Sequence, residues 1–109
     1  MSEITALRRP ELTYRANLGN GRHGWLRLTP AYSVRLVSDL LAETDAGATV
    51  LDPFSGTGTT ALCAAERGAS ARAIDVNPFL VWLGNAKLSR YEPSALTLAD
   101  ETARAIVAE

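Results

Sequence analysis

The chain has 109 residues, of which 47% are hydrophobic and 21% are charged, a composition typical of one globular domain and not of wholesale disorder. Its 11 basic and 12 acidic residues give a formal net charge of −1, so the chain as a whole lacks the electrostatic signature of a nucleic-acid binder. The single cysteine, Cys63, excludes an intrachain disulfide and a multi-cysteine metal cluster.

The first 24 residues are predicted to form an arm or loop. They are polar and irregular, and asparagines and glycines cluster between Asn17 and Gly24, which is typical of chain without helix or strand. Residues 25–109 are assigned to one folded part. We therefore expect no regular element before Gly24.

Helical and strand patterns follow one another in the rest of the chain. Thr29 with Pro30, and Asn77 with Pro78, each offer an N-cap residue and a proline at the first helical position. Apolar periodicity and Ala/Leu-rich stretches then predict the elements. In chain order these are a helix over 30–43, a strand over 48–52, a helix over 59–67, a strand over 71–75, a helix over 78–91 and a helix over 94–108.

The strands and the helix between them form a βαβ unit. This pattern predicts an α/β fold, a partial Rossmann-like arrangement with flanking helices. Two strands rarely form a stable sheet without further pairing. We therefore expect an incomplete sheet, whose free strand edge pairs with another polypeptide.

A glycine-rich turn between the first strand and the next helix is suited to holding a ligand. Gly56 and Gly58 let the backbone approach a ligand closely, and the free N–H groups at the helix start favour an anionic group. Asp75 follows the next strand, where a carboxylate can accept hydrogen bonds from both ribose hydroxyls. Together these features predict a nucleoside ligand with an anionic end. The alternative interpretation is a tight turn and a helix-capping aspartate without a ligand.

The glycines alone leave more than one nucleoside open. A P-loop requires a lysine after the second glycine, and Thr59 stands there, which argues against hydrolysis of ATP or GTP. The spacing Gly56-x-Gly58-x-x-Ala61 fits the loose dinucleotide fingerprint, so an NAD-type ligand stays open at this point.

The tripeptide that enters the turn points to one family. The nine residues from Asp52 to Thr60 closely resemble the S-adenosylmethionine (AdoMet) motif I of DNA methyltransferases that modify exocyclic amines, N6 of adenine or N4 of cytosine. The segment 75–79 resembles motif II of that family, and residues 23–25 with 29–31 resemble its motif X. The resemblance covers roughly residues 20–90.

The resemblance implies a set of cofactor-binding residues. The backbone of the turn would hold the methionine part of AdoMet, Asp75 the ribose, and Phe79 would flank the adenine. Thr29 or Pro30 would close over the methionine tail. The full set is Asp52, Pro53, Phe54, Ser55, Gly56, Thr57, Gly58, Thr59, Thr60, Asp75, Val76, Asn77, Phe79, Thr29 and Pro30.

One part of the family's pattern is missing from these residues. Family members transfer the methyl group with a (Ser/Asn/Asp)-Pro-Pro-(aromatic) motif, and the sequence contains no Pro-Pro pair. The resemblance therefore implies a cofactor-binding half of a split DNA methyltransferase of restriction-modification type. A second polypeptide would supply the catalytic motif and the target-recognition region, and DNA would bind through the complex. The alternatives are a truncated AdoMet-binding fragment, a piece of an RNA methyltransferase, and a non-catalytic AdoMet-sensing module.

The remaining candidate residues have ordinary structural interpretations. His23 is interpreted as a structural or solvent-facing histidine, Trp82 and Leu83 as core residues, and Cys63 as a buried, unreactive thiol. No apolar run approaches the ~20 residues that span a bilayer, and residues 1–10 have no apolar signal-peptide core. We expect a cytoplasmic protein without membrane contact, metal ligands or catalytic residues of its own.

Overall fold

The computed structural model describes residues 9–45 and 47–109. Its strands and α-helices follow the order expected from the sequence, which confirms the α/β class. They are α1 (Val34–Ala42), β1 (Thr49–Asp52), α2 (Thr59–Glu66), β2 (Ser70–Ala73), α3 (Pro78–Leu88) and α4 (Pro93–Ala108). Three short 3₁₀ turns, over Pro10–Leu12, Tyr14–Asn17 and Gly21–Gly24, precede α1.

The sheet has two parallel strands within the described residues. Thr49 of β1 lies opposite Ser70 of β2, and Asp52 lies opposite Ala73. β2 ends two residues before Asp75, but the backbone pairing continues past it. The Ile74 N–H donates to the Asp52 carbonyl oxygen at 2.9 Å, and the Ser55 N–H donates to the Ile74 carbonyl oxygen at 2.9 Å. The entry to the glycine turn is thus held by the sheet.

Helix α2 lies at the centre of the molecule. It packs against α1, α3 and both strands, and residues 59–64 are all buried. The helix ends as expected at Gly68, where the backbone has φ +72° and the next N–H, from Ala69, donates to the Ala64 carbonyl oxygen at 2.9 Å. Cys63 of α2 is buried against α1, as the sequence predicted.

Helix α1 does not begin at the predicted residues. Thr29 and Pro30 form a turn, and Ser33 is the N-cap, with its side chain accepting a hydrogen bond from a backbone N–H in the first turn. The Asn17 side chain completes the cap: its Oδ1 accepts from the Val34 N–H at 2.7 Å. The start of α1 is therefore set by a local N-cap, Ser33, together with a side chain distant in sequence, Asn17, which a local capping pattern does not contain.

The N-terminal segment is also more regular than predicted. Residues 1–8 lie outside the described part, but from Pro10 the chain forms the three 3₁₀ turns where no regular element was expected. The first two turns pack against α1, and the side chains of Asn17 and His23 are buried. Polar side chains that bond to α1 and α2 order this segment. The division into residues 1–24 and 25–109 stays a prediction.

The outer helices differ from expectation mainly in their exposure. Asn77 caps α3 as predicted, with its Oδ1 accepting from the Phe79 N–H at 3.0 Å, but the helix ends at Leu88 instead of near Tyr91. Leu83 is buried, whereas Trp82 is 63% exposed and is not a core residue. Every residue of α4 is exposed. Among the described residues, no helix has the combination of length and apolarity needed to cross a bilayer.

Candidate functional site

The glycine turn presents backbone donors at the start of α2. Gly56 and Gly58 have φ of +54° and +81°, left-handed conformations that favour glycine. Gly58 is the N-cap of α2 and leaves the first N–H groups of the helix without a side-chain cap. A Cβ at Gly58 would lie 3.3 Å from the Gly84 Cα of α3, so the second glycine also permits close packing. Backbone donors of this kind suit an anionic group.

Asp75 holds the glycine turn to the end of β2. Its Oδ2 accepts a hydrogen bond from the Gly56 N–H at 2.8 Å, and its Oδ1 accepts one from the Asn77 N–H at 2.8 Å. Each carboxylate oxygen can accept a second hydrogen bond, and the residue is partly exposed. Asp75 therefore combines a structural role in the turn with spare acceptor capacity towards solvent.

Asp52 carries an unpaired acceptor. The side chain is buried, and its Oδ1 accepts from the Phe54 N–H at 3.0 Å. Its Oδ2 is buried without a hydrogen-bond partner among the described residues. Burial and the charge of Asp52 raise the pKa of Tyr32, which enters the same groove from the chain before α1. A buried carboxylate oxygen without a donor is costly to the free protein and suited to a ligand that brings one.

Lys87 of α3 is a site residue that the sequence reading missed. Its side chain is almost completely buried, and Nζ donates to the Thr57 carbonyl oxygen in the glycine turn at 2.8 Å. Burial lowers the pKa of this amine. Lys87 is the only lysine of the chain and lies in a helix whose other residues are mostly apolar, a signal that could have identified it.

The predicted residues around the turn divide into buried and exposed groups. The Thr57 and Thr59 hydroxyls lie 3.3 Å apart and are buried, as is Thr60. On the open side, Phe54 and Val76 are exposed, and Phe79 stacks on Trp82 with ring centroids 5.8 Å apart. The remaining members are Pro53, exposed, Ser55, half-buried, and Asn77, exposed.

Two depressions flank the turn. A cavity of about 60 Å³ between the turn and α3 is lined by Ser55, Gly58, Asp75 and Gly84, among others. A groove of about 370 Å³ contains Asp52 and Thr60 and is otherwise lined by Tyr32 and apolar side chains of α1 and β1. Thr29 lines a different groove, with Thr13 and Tyr14, so Tyr32 is the residue of this segment that the structure brings to Asp52.

The segment Arg22-His23-Gly24-Trp25 packs against the C-terminal ends of the two helices that flank the turn. The Arg22 guanidinium donates to the Lys87 and Ser89 carbonyl oxygens at 2.6 and 2.7 Å. His23 is buried, with Nε2 3.2 Å from both carboxylate oxygens of Glu66. The histidine is thus not solvent-facing: this segment binds the C-terminal ends of α2 and α3.

Gly24 and Trp25 complete this support. A Cβ at Gly24 would lie 2.9 Å from the Asn17 carbonyl oxygen, so the close approach requires glycine. The Arg22 guanidinium lies 5.8 Å from the Trp25 ring and 5.4 Å from the Tyr91 ring, within the range of cation–π interactions.

The chain is similar to short segments of known proteins. No protein-family model matches it. The Type II methyltransferase M.BsoBI of Geobacillus stearothermophilus is 36% identical over 80 residues, which cover 72% of this chain and 16% of that protein. The Type II methyltransferases M.AvaI of Nostoc sp. and Anabaena variabilis are each 32% identical over 75 residues, 67% of this chain and 16% of theirs.

The fold has a solved counterpart. The crystal structure of M1.HpyAVI matches with a TM-score of 0.52 at 24% sequence identity, over 62% of this chain and 34% of that one. The match supports the partial α/β fold. The chain spans only 16% of the length of the relatives it matches in sequence, so their full architecture extends well beyond these elements.

Proposed function

We propose that this chain, which is related in sequence to one segment of the type II methyltransferases, is the AdoMet-binding part of a DNA methyltransferase. The observation that carries the proposal is the hydrogen bond of 2.8 Å between the Gly56 N–H and the Asp75 carboxylate. This bond supports the proposal because it holds a carboxylate, of the type that accepts from ribose hydroxyls in nucleoside-binding folds, beside a turn whose free N–H groups suit an anionic group.

The donors and acceptors of the site fit the three polar parts of AdoMet. Asp75 has acceptor capacity left for the ribose hydroxyls. The unpaired Oδ2 of Asp52 suits the ammonium of the methionine part, because a charged donor would satisfy a buried carboxylate oxygen. The N–H groups at the start of α2 suit the carboxylate. The bound cofactor supplies an activated methyl group, and the residues of this chain bind and orient it.

The rest of the enzyme is proposed to lie on polypeptide outside these residues. That polypeptide would carry the Pro-Pro-aromatic motif, hold the exocyclic amine of cytosine or adenine in line with the methyl group, and contact DNA in the cytoplasm. We favour a separate partner chain, as in a split restriction-modification methyltransferase. Parallel two-stranded sheets are seldom stable alone, which supports a partner that extends the sheet.

An apolar groove beside β1 supports the same arrangement. Leu36 and Leu40 of α1 and Leu51 of β1 line it and are exposed by 40–62%. Large apolar side chains gathered on one surface mark interaction sites in soluble proteins. A strand and helix added beside β1 would cover them and extend the sheet.

Titration calorimetry with AdoMet tests cofactor binding. We expect the chain to bind AdoMet, alone or with the complementing polypeptide. Asp75→Ala should weaken binding by about tenfold or more, because it removes both the ribose acceptor and the anchor of the turn. Asp100→Ala, an exposed carboxylate of α4 that pairs with Arg104, is the matched control. Absence of AdoMet binding in both samples, or binding of NADH in its place, contradicts the proposal.

Transfer of a labelled methyl group tests the reaction. We expect incorporation into DNA only when the chain is mixed with a polypeptide that contains the Pro-Pro-aromatic motif. Incorporation into RNA alone would assign the chain to an RNA methyltransferase. Tight AdoMet binding without transfer in any mixture would instead indicate a sensing module or a truncated fragment.

A further inference from the structure

We infer that Lys87 is a positioning residue that selects a ligand with an anionic end at the glycine turn. The inference rests on the proposed function and deepens it, because it assigns the charge preference of the site to a side chain outside the turn. Lys87 lies on α3, and its Nζ donates a hydrogen bond to the Thr57 carbonyl oxygen in the turn at 2.8 Å.

The burial of Lys87 requires a reason beyond packing. Lysine is almost never fully buried unless it is paired, because the ammonium loses its hydration. Lys87 is 1% exposed, and none of the salt bridges among the described residues includes it. Methionine or leucine would fill the same space without this cost. A buried cation at this position is therefore explained by what it does to the turn.

The ammonium acts on the turn in two ways. It fixes the Thr57 carbonyl oxygen and so the peptide unit that leads into α2, whose Gly58 N–H donates within the turn to the Ser55 carbonyl oxygen at 2.9 Å. It also adds a full positive charge to the partial positive charge of the helix N-terminus. Both effects favour the carboxylate of the methionine part over a ligand that lacks an anion.

The charged groups on the elements packed against α3 leave this charge available. Arg22 binds the main-chain carbonyl oxygen of Lys87 and adds to the positive field. Glu66, at the far end of α2, is bound to His23. Asp75 accepts from two backbone N–H groups. None of these groups, nor the buried Asp52 at the end of β1, forms a salt bridge with Lys87 among the described residues.

Two substitutions separate the charge from the hydrogen bond. Lys87→Gln keeps a donor for the Thr57 carbonyl oxygen and removes the charge, whereas Lys87→Met removes both. Arg90→Gln, an exposed residue nearby in sequence, is the control for loss of one positive charge. Binding of AdoMet is compared with binding of 5′-methylthioadenosine, which has the nucleoside and thioether but no amino-acid end.

The inference makes a ligand-specific expectation. Lys87→Gln should weaken AdoMet binding by about tenfold and 5′-methylthioadenosine binding by less than about threefold, because only AdoMet carries the anion. Equally weakened binding of both ligands would indicate a purely structural role for Lys87 and overturn the inference. Unchanged binding of both ligands would overturn it as well.

A measurement on the unaltered chain covers the case in which a variant fails to fold. Because Lys87 is the only lysine, labelling with ¹³C-lysine gives one side-chain signal whose pH titration reports this amine alone. We expect AdoMet to raise the titration midpoint and 5′-methylthioadenosine to leave it in place. AdoMet binding without a change in midpoint overturns the inference alone, whereas no AdoMet binding at all defeats the proposed function.

Discussion

Asp52 illustrates how one side chain can lower the stability of a free protein while offering an acceptor to a ligand. Its Oδ1 is bonded to the Phe54 N–H, but its buried Oδ2 has no donor among the described residues. A buried, incompletely solvated carboxylate costs free energy in the unliganded protein. The same oxygen is available to a cationic group of a ligand. Residues of this kind are conspicuous in structures because they break the rule that buried polar atoms are paired.

We expect Asp52→Asn to separate these two effects. The amide oxygen can still accept from Phe54, and the free energy of unfolding should change by less than about 1 kcal/mol, because the charge is lost but the amide NH2 lacks a partner where Oδ2 stood. AdoMet binding should weaken by about tenfold, because the charge-assisted acceptor is lost. Urea denaturation and calorimetry measure the two quantities. A variant that binds AdoMet as tightly as the natural chain contradicts the role given to Asp52.

Lys87 has a consequence for stability at alkaline pH. Burial lowers the pKa of its amine below the usual value of 10.5, so the unfolded chain holds the proton at pH values where the folded chain has released it. Stability therefore rises with pH between the lowered pKa and 10.5. We expect the free energy of unfolding of the natural chain to increase across this interval relative to that of Lys87→Met. Denaturation curves of both proteins at a series of pH values measure the difference, which should not change if Lys87 is solvated.

At the level of elements, one local capping pattern predicted a helix start correctly and another did not. Asn77 and Pro78 begin α3 as predicted, because the cap and the N–H it accepts from are neighbours in sequence. Thr29 and Pro30 offered the same pattern, but α1 is capped locally by Ser33, and its first N–H is bound by Asn17, which no local pattern reveals.

The candidate site divides in the same way. The turn from Asp52 to Thr60 and the position of Asp75 follow from short-range glycine and strand patterns, and the methyltransferase resemblance that they carried is confirmed by the relatives. Burial of Lys87 and exposure of Trp82 depend on how α3 packs against α2, which periodicity alone does not determine. The roles of individual residues towards the cofactor stay predictions.

The N-terminal turns are expected to stabilise α1 through one side chain. Asn17 accepts from the Val34 N–H and donates to the Tyr32 carbonyl oxygen, both at 2.7 Å. Asn17→Ala would leave these backbone groups unpaired and should lower the free energy of unfolding by about 1–3 kcal/mol. Asn20→Ala, an exposed neighbour, should change it by less than about 0.5 kcal/mol. Equal effects of the two substitutions in urea denaturation would disprove the cap.

The whole molecule is elongated, with extents of 64 × 36 × 25 Å. Apolar side chains line the groove between α1 and β1, and α4 is exposed along its entire length. A small domain buries a small fraction of its surface on folding, so an apolar groove left exposed to water lowers its stability appreciably. We therefore expect the complementing polypeptide to raise the thermal midpoint of the chain.

We expect Leu51→Glu to disrupt that association. Leu51 is 62% exposed in the groove, so the charge is tolerated in the free chain but opposes burial in a complex. Affinity for the complementing polypeptide should fall by about tenfold or more, with the stability of the chain alone nearly unchanged. Val107→Glu, on α4, is the control. Light scattering and calorimetry of the mixtures measure the effect, and equal losses for both variants would move the interface elsewhere.

The hydrogen bonds of Ile74 couple the sheet to the glycine turn. The Ile74 backbone donates to Asp52 in β1 and accepts from Ser55 in the turn, so both are bonded to the same residue. A strand that pairs with β1 would rigidify the turn, and the turn would then lose less entropy when a cofactor binds. Linkage requires reciprocity: the factor by which the added strand tightens cofactor binding is the factor by which the cofactor tightens assembly. Under the proposed function, the concentration of AdoMet would therefore influence how much of the complex forms.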